Sequence, residues 1–490
     1  MKLKLPENIA IYLVTIAFFF PIFVAHALVL FTPDSGAYLL NSFELFVPAD
    51  RPIFYSLYIH LAQIIWNNPV FNTILQWTTF HGQAKTTFNS SLFAQVILPT
   101  SILILAELFL FIRNFFPTQN STTKSLQLLS IFLLTPVSWI AIQLMPDIFG
   151  PIMVLATANF LIANNKWHQL LHASIILIAA STHNSHILIL SLFAVTAQLL
   201  QKYFYQSIDK QSLKQLFVLS FIPWAMIICT NLYVGNGFTT SKSNHVFIMG
   251  KWCENGMLNR FINNEKNTII SKDTAVQHQF QKLCSVQSAL PAHAWDFVWN
   301  NQPQSPFQIS GGWHQSKKLY HTIFTHCLTH PQYWPYLFSS TVLETGKQIL
   351  LTGVGDGITP IDSNAAVGTT LKIHYPKDYQ ALFTKNKQQT WGINFGAWNQ
   401  WYLTIAIILN AAFLYILYNK KLFSQFNPRQ RVAVLSILFF VIYNALVTAN
   451  FANVLARLNA RFIWLWHALI ILMIFQLIAN YLQNKNQSIR

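Results

Sequence analysis

The chain has little charge. Lys, Arg, Asp and Glu make up 9% of its 490 residues, where soluble domains carry about a quarter. Acids are scarcest, 15 against 31 Lys and Arg. With 53% hydrophobic residues and a mean hydropathy of +0.38, this implies a polytopic membrane protein and leaves little room for another class. The formal charge of +16 would suggest nucleic acid in a soluble chain. In a membrane protein, Lys and Arg in cytoplasmic loops and near anionic headgroups account for it, so no nucleic-acid partner is expected. Cysteine is rare as well. Its four copies form no CxxC or Cys/His pattern, so nothing points to zinc. Cys229 falls in an apolar run as a small packing residue, while Cys253, Cys284 and Cys327 share one polar segment. In an oxidising compartment Cys253–Cys284 is the preferred disulfide, with Cys327 left over. Nucleotide fingerprints are missing too. "LTGVGDGITP" (351–360) has three glycines but is neither GxGxxG nor a P-loop, and it reads as a loop near a site. There is no internal repeat and no low-complexity tract.

Long apolar runs are what the chain does have. A span needs roughly 20 apolar residues, and ten segments qualify or nearly so: 9–31, 90–112, 126–144, 147–163, 169–182, 186–202, 215–234, 401–418, 431–449 and 461–480. The first is too long for a signal-peptide core and lacks a small-residue cleavage site, so it is expected to be a retained helix. "IFYSLYIHLAQIIW" (53–66) is shorter and reads as interfacial or re-entrant. With both termini cytoplasmic, fourteen Lys and Arg, among them Lys2, Lys4, Arg113, Lys124, Lys166, Lys420, Arg431, Lys485 and Arg490, flank cytoplasmic ends. Only Arg51, Lys85, Arg457 and Arg461 occupy short outer loops, which favours this orientation. The expected fold is therefore an all-α polytopic membrane protein with about ten transmembrane helices. Residues 1–234 form a module of about seven helices, with an outer loop at 32–88. Residues 235–400 form a mixed extracytoplasmic domain between helices seven and eight, and 401–490 form a module of about three helices. Within the middle segment, 331–351 has helix signals at Pro331 and Pro335 and a stop at Gly353.

This orientation gathers the unusual polar residues on the outer face. Asp34 in "FTPDSGAYLL" ends the first apolar run, and Asp50 and Arg51 follow it. Asp147 in "MPDIFG", His183 and His186 in "STHNSH", and Arg457 and Arg461 in "ARLNARF" sit at the outer ends of other runs. Charged groups at membrane boundaries are costly without a task. Each also has a structural reading. "TPDSG" is good turn chemistry, Asp147 can cap a helix, the histidines can line a polar turn, and the arginines can anchor a helix at headgroup depth. Functionally, two arginines four apart can grip one phosphate.

"TPDSGAYLL" followed by "RPIFYSLYIHL" resembles the first outer loop of integral-membrane glycosyltransferases of the GT-C fold. "PDIFG" and the late Arg461-Phe462 pair are similar to that family as well. The resemblance implies transfer of a sugar from a polyprenyl-phosphate carrier to an acceptor outside the cytoplasm, in a bacterial inner (plasma) membrane. Asp34 would be the catalytic base. Arg457 and Arg461 would stabilise the leaving lipid phosphate. Asp147, His183, His186, Arg51 and Tyr38 would complete the substrate site. The implied partners are a lipid-linked sugar donor, an extracytoplasmic acceptor and membrane lipids. Many members carry an Asp-Glu pair where this chain has Asp34-Ser35. Some bind a divalent metal ion, which the few acids here do not assign. A transporter or flippase of a lipid-linked glycan, and an acyltransferase using an outer His, remain as alternatives.

Overall fold

A computed structural model describes residues 7–67, 92–117, 121–204 and 207–488. Lys2, Lys4, Lys85 and Arg490 of the charge pattern, and 68–88 of the outer loop, lie outside the described residues. Among those described there is no strand, only a parallel bridge between Leu30 and Gln143. The segment 235–400, expected to be mixed, is therefore helical. Its amphipathic stretches are short and broken by Gly and Pro, and they pack helix on helix.

Among the described residues five helices are long and apolar enough to cross a membrane: Phe93–Phe115, Lys210–Tyr233, Phe395–Tyr418, Pro428–Phe451 and Ala456–Lys485. Ile9–Phe18, Pro146–Ile162 and Asn184–Leu199 are apolar but shorter. The count of about ten spans is not reached by helix length, and proline is one reason. Proline lacks an N–H and clashes with the preceding turn. The run 9–31 breaks into α1 (Glu7–Phe18) and α2 (Phe20–Ala25), with Pro21 in the first turn of α2. The run 126–144 likewise splits at Pro136, between the helices Ser121–Leu134 and Val137–Ala141.

After α2 come α3 (Pro33–Glu44) and α4 (Phe54–Asn67), the latter covering the expected interfacial helix. α5 (Phe93–Phe115) opens with a π-turn. α6 (Ser121–Leu134), α7 (Val137–Ala141), α8 (Phe149–Ile162), α9 (Lys166–Ser181), α10 (Asn184–Leu199) and α11 (Lys210–Tyr233) follow. α8 packs on α5 and α9, and α10 on α11. The bond pair Leu30 N–H to Ile142 O (2.9 Å) and Leu144 N–H to Leu30 O (3.0 Å) pins the chain before α3 to the chain before α8.

"TPDSG" is a buried junction. Pro33 opens α3, where a missing N–H costs nothing. Thr32 N–H donates to Ser35 Oγ at 2.9 Å, and that hydroxyl donates to Leu144 O at 2.9 Å. Ser35 thus ties α3 to the approach to α8. Gly36 lets another helix touch: a Cβ there would lie 2.7 Å from Val367 N and 2.8 Å from Ala366 Cβ.

The middle segment packs in two parts. α12 (Asn244–Glu254), α13 (Met257–Glu265), α14 (Thr274–Ser285), α15 (Ala294–Val298) and α16 (Lys317–Thr329) share a core around Met249, Phe261, Phe280 and Tyr320. α17 (Trp334–Leu350) fills the expected helix at 331–351 and packs along a later membrane helix, α21. α18 (Ala366–His374) and α19 (Pro376–Thr384) join the main core through Val367, Leu371 and Leu382 instead. α20 (Phe395–Tyr418), α21 (Pro428–Phe451) and α22 (Ala456–Ser488) end the fold. All four cysteines are free, so the expected Cys253–Cys284 bridge is not made. The two lie on different helices. Cys253 Sγ is 3.3 Å from Pro291 O, and burial pushes its thiol up to about 12.

A buried lysine ties the first part to α17. Lys251 of α12, 1% exposed, holds Glu254 at 2.6 Å and Glu344 of α17 at 2.7 Å. Glu254 in turn accepts the Ala294 N–H that begins α15. Burial alone would raise the Glu344 carboxyl, but hydrogen bonds from Lys251 and Lys347 outweigh it and hold the group below its ordinary 4.5. That stabilisation is present above pH 4.5 and is lost as pH falls through the depressed folded value.

Two outcomes are expected in thermal unfolding of the purified protein. Gly36→Ala overpacks the α3–α18 contact and costs about 1–3 kcal/mol despite the better helix propensity of Ala. Lys251→Met leaves Glu344 buried with a weakened partner set, costs about 3–5 kcal/mol, and flattens the acid limb of the stability profile. Wild-type stability in either variant would refute the corresponding contact.

Candidate functional site

Helix ends build the site. Asp34 lies in the first turn of α3, with Tyr38 one turn on, and side chains four apart share a face. Asp147 sits in the 3-10 turn Pro146–Ile148 that opens α8. His183 is the N-cap of α10, with Ser185 and His186 in its first turn. Arg457 and Arg461 occupy the start of α22. Arg51 follows α3 in a loop held from two sides: Ser241 Oγ and Ser243 N–H both donate to Ala49 O, and Asn184 Nδ2 donates to Asp50 O at 3.4 Å.

The floor is a buried ion pair. Arg461, fully buried, donates from Nη1 to Asp147 Oδ1 at 2.7 Å, from Nη2 to Ser185 Oγ at 3.0 Å and from Nε to Asn444 Oδ1 at 3.3 Å. Asn444 of α21 returns a bond to Leu458 O at 2.8 Å. Arg461 was expected to face a phosphate, but its guanidinium is turned inward and taken up by the protein.

The mouth is different. Asp34, with 39% of its side chain exposed, lies between two guanidiniums, Arg51 Nη2 at 3.2 Å and Arg457 Nη2 at 3.5 Å. Arg51 is also gripped by Asp50, at 2.9 Å from Nε and 2.6 Å from Nη2, and stacks over Tyr38 at 5.0 Å. Burial pushes the Tyr38 hydroxyl above its ordinary range, so it stays protonated. Arg457 is less occupied. Its backbone N–H donates to Asp356 Oδ2 at 3.1 Å. Its Nε lies 3.9 Å from Asp147 Oδ2, beyond hydrogen-bond reach, and neither atom has another partner. Gly357, at φ +77°, keeps the loop backbone clear of this arginine: a Cβ there would lie 3.4 Å from Nη1.

His183 Nδ1 accepts from Ser185 Oγ at 2.8 Å and from Ser185 N–H at 3.2 Å. Burial, then the Arg461, Arg51 and Arg457 charges, hold its imidazole well below the usual histidine range, so it is neutral at pH 7. His186 is fully buried against Ala179 O (3.1 Å), and a Cβ on Gly150 would lie 3.0 Å from its Nε2. It packs behind the site.

Asp34, Tyr38, Arg51, Asp147, His183, Arg457 and Arg461 all line one cavity of about 430 Å³; His186 does not. No known family, curated protein or solved structure matches the chain. The site therefore rests on its own geometry. Much of the remaining lining is apolar. Trp224 of α11, Ile187 and Leu188 of α10, and Val447 and Phe451 of α21 come from apolar helices. Phe247, Trp295 and Trp299 come from the part built on α12 to α16. Among the described residues no group of three His, Cys, Asp or Glu side chains could hold a metal ion. The donor set explains this, since Asp34, Asp50 and Asp147 are each paired with a guanidinium.

Sequence reasoning missed Ser185, Asn444 and Asp356, and gave Asp50 no role beyond following Asp34, whereas Asp50 binds Arg51. Ser185 lies inside "STHNSH", and Asp356 inside the glycine loop expected near a site. Asn444 and the tryptophans carried no local signal.

The Asp147–Arg461 pair should behave as structure. Asp147→Asn or Arg461→Gln alone is expected to cost about 3–5 kcal/mol by stranding a buried charge. The double variant should recover part of that loss in a double-mutant cycle of thermal unfolding. Additive losses would remove the coupling.

Proposed function

We propose that the chain is an integral-membrane glycosyltransferase of the GT-C type, moving a sugar from a polyprenyl-phosphate carrier to an acceptor outside the cytoplasm. The observation that carries this reading is Asp34, an accessible carboxylate held between Arg51 and Arg457 in a cavity lined by both charged and apolar side chains. Such a cavity suits an amphiphile whose anionic head meets the arginines and whose chain lies along Trp224, Val447 and Phe451. In the displacement, the acceptor oxygen attacks the anomeric carbon and the bond from that carbon to the phosphate oxygen breaks. The hydroxyl proton passes to Asp34. The electron pair stays on the phosphate, whose growing charge draws the Arg457 and Arg51 guanidiniums away from Asp34. The open Nε of Arg457 makes it the better phosphate ligand. Arg461 acts from below as the support of Asp147 and Ser185.

Features of the cavity weigh against the alternatives. His186 is buried, and the Nδ1 of His183 accepts from Ser185, so its Nε2 carries the hydrogen and neither imidazole offers the cavity a base for acyl transfer. A transporter would set polar groups at mid-span. Glu107 of α5 is such a group, but it is enclosed by His172 Nδ1 at 3.0 Å and Asn159 Nδ2 at 2.8 Å and does not line the cavity.

In membranes supplied with polyprenyl-phosphate sugars, Asp34→Asn is expected to lower transfer by roughly 10²-fold or more with thermal stability nearly unchanged. Arg457→Gln should weaken donor use. Glu44→Gln, exposed at the far end of α3, should be neutral. Wild-type transfer by folded Asp34→Asn protein would overturn the assignment.

A further inference from the structure

The hydrogen bonds at the start of α10 fix more than the position of His183. Arginine only donates, so at the 3.0 Å contact between Arg461 Nη2 and Ser185 Oγ the hydroxyl accepts. The hydroxyl hydrogen is then left for His183 Nδ1, 2.8 Å away. The Ser185 backbone N–H is directed at the same nitrogen at 3.2 Å. Two donors on one nitrogen require a lone pair there. A neutral imidazole with a bare Nδ1 carries its hydrogen on Nε2. His183 lines the cavity, and among the described residues its hydrogen bonds are made at Nδ1, leaving Nε2 for a ligand. Arg461, Arg51 and Arg457 act on the ring electrostatically and the His186 ring is 5.3 Å away, while Asp34, Tyr38, Asp50 and Asp147 line the same cavity. The three guanidiniums oppose a further positive charge on the ring and favour an anionic oxygen in front of it.

We propose that His183 is a hydrogen-bond donor locked in the Nε2–H tautomer by the chain Asp147–Arg461–Ser185, and that its N–H receives an anionic oxygen of the ligand, a phosphoryl oxygen on the reading above. Asp147, Arg461 and Ser185 then act as positioning residues, a role that only their connection to His183 reveals. The donor holds charge without adding any, and it stays in place across neutral pH.

The test is nitrogen NMR of the full chain in lipid bilayers, labelled with 15N-histidine, with His183 identified by difference against His183→Gln. The expected result is a bare Nδ1 and a protonated Nε2, unchanged between about pH 6 and 8. Ser185→Ala should release the lock and mix the tautomers. Inorganic phosphate and farnesyl phosphate should each move the Nε2 signal, and farnesol should not. A proton on Nδ1 in the wild-type protein, a pure Nε2–H tautomer in Ser185→Ala, or an Nε2 signal that neither phosphate moves would overturn the proposal. The lipid reading is tested separately by stabilisation of the protein against heat. If inorganic phosphate moves His183 while farnesyl phosphate gives no more stabilisation than farnesol, the donor stands and the lipid reading fails. If farnesyl phosphate stabilises the protein through Arg457 but leaves His183 unmoved, the lipid reading stands and the donor assignment falls.

Discussion

The burial of Arg461 against Asp147 constrains everything near it. Two ions taken out of water must recover their lost hydration through close, complete contacts. Arg461 does so with Asp147, Ser185 and Asn444, which brings α8, α10, α21 and α22 to one point. Helices that share such a point cannot slide without stranding a charge. The fixed start of α22 then sets Arg457, one turn earlier, beside Asp34. The fixed start of α10 sets His183.

Saturated and unsaturated charges divide the labour. Arg461 and Asp147 Oδ1 are satisfied within the protein. Arg457 Nε and Asp147 Oδ2 are not, and both residues line the cavity. A buried donor or acceptor left unmade costs on the order of 1–3 kcal/mol. A site that keeps two such atoms 3.9 Å apart is arranged for something that arrives. The apolar lining follows the same rule. The paired Lys251 seats α12 through Glu344 and sets the start of α15 through Glu254, so Trp295 is placed by a buried ion as surely as His183 is.

Much of the secondary structure could be read in advance from apolar runs and proline. The helices at 401–418, 431–449 and 461–480 were legible because uninterrupted apolar stretches of that length have few other outcomes. The breaks were less legible. Pro21 and Pro136 sit inside runs that hydropathy averages over, and the division of α1 from α2 depends on where residues 28–32 must go to meet 142–145. The helical character of 235–400 escaped because its stretches are short and their faces are defined by partners far along the chain. Cys253 and Cys284 shared a segment, and nothing local showed that Cys253 turns toward Pro291.

By itself the sequence determined the membrane character and which residue types stand at helix ends. Low charge density, and acids followed or preceded by apolar runs, are local properties, and local properties survive without a fold. From these alone Asp34, Asp147, His183, Arg457 and Arg461 could be named. Only the tertiary structure decided what each does. It turned Arg461 inward and left Arg457 open, though the two lie one helical turn apart. It gave Asp50 a guanidinium and Ser185 two neighbours. The reason is physical: hydration, pairing and tautomer depend on which atoms approach within about 3 Å, and those atoms come from segments more than a hundred residues apart.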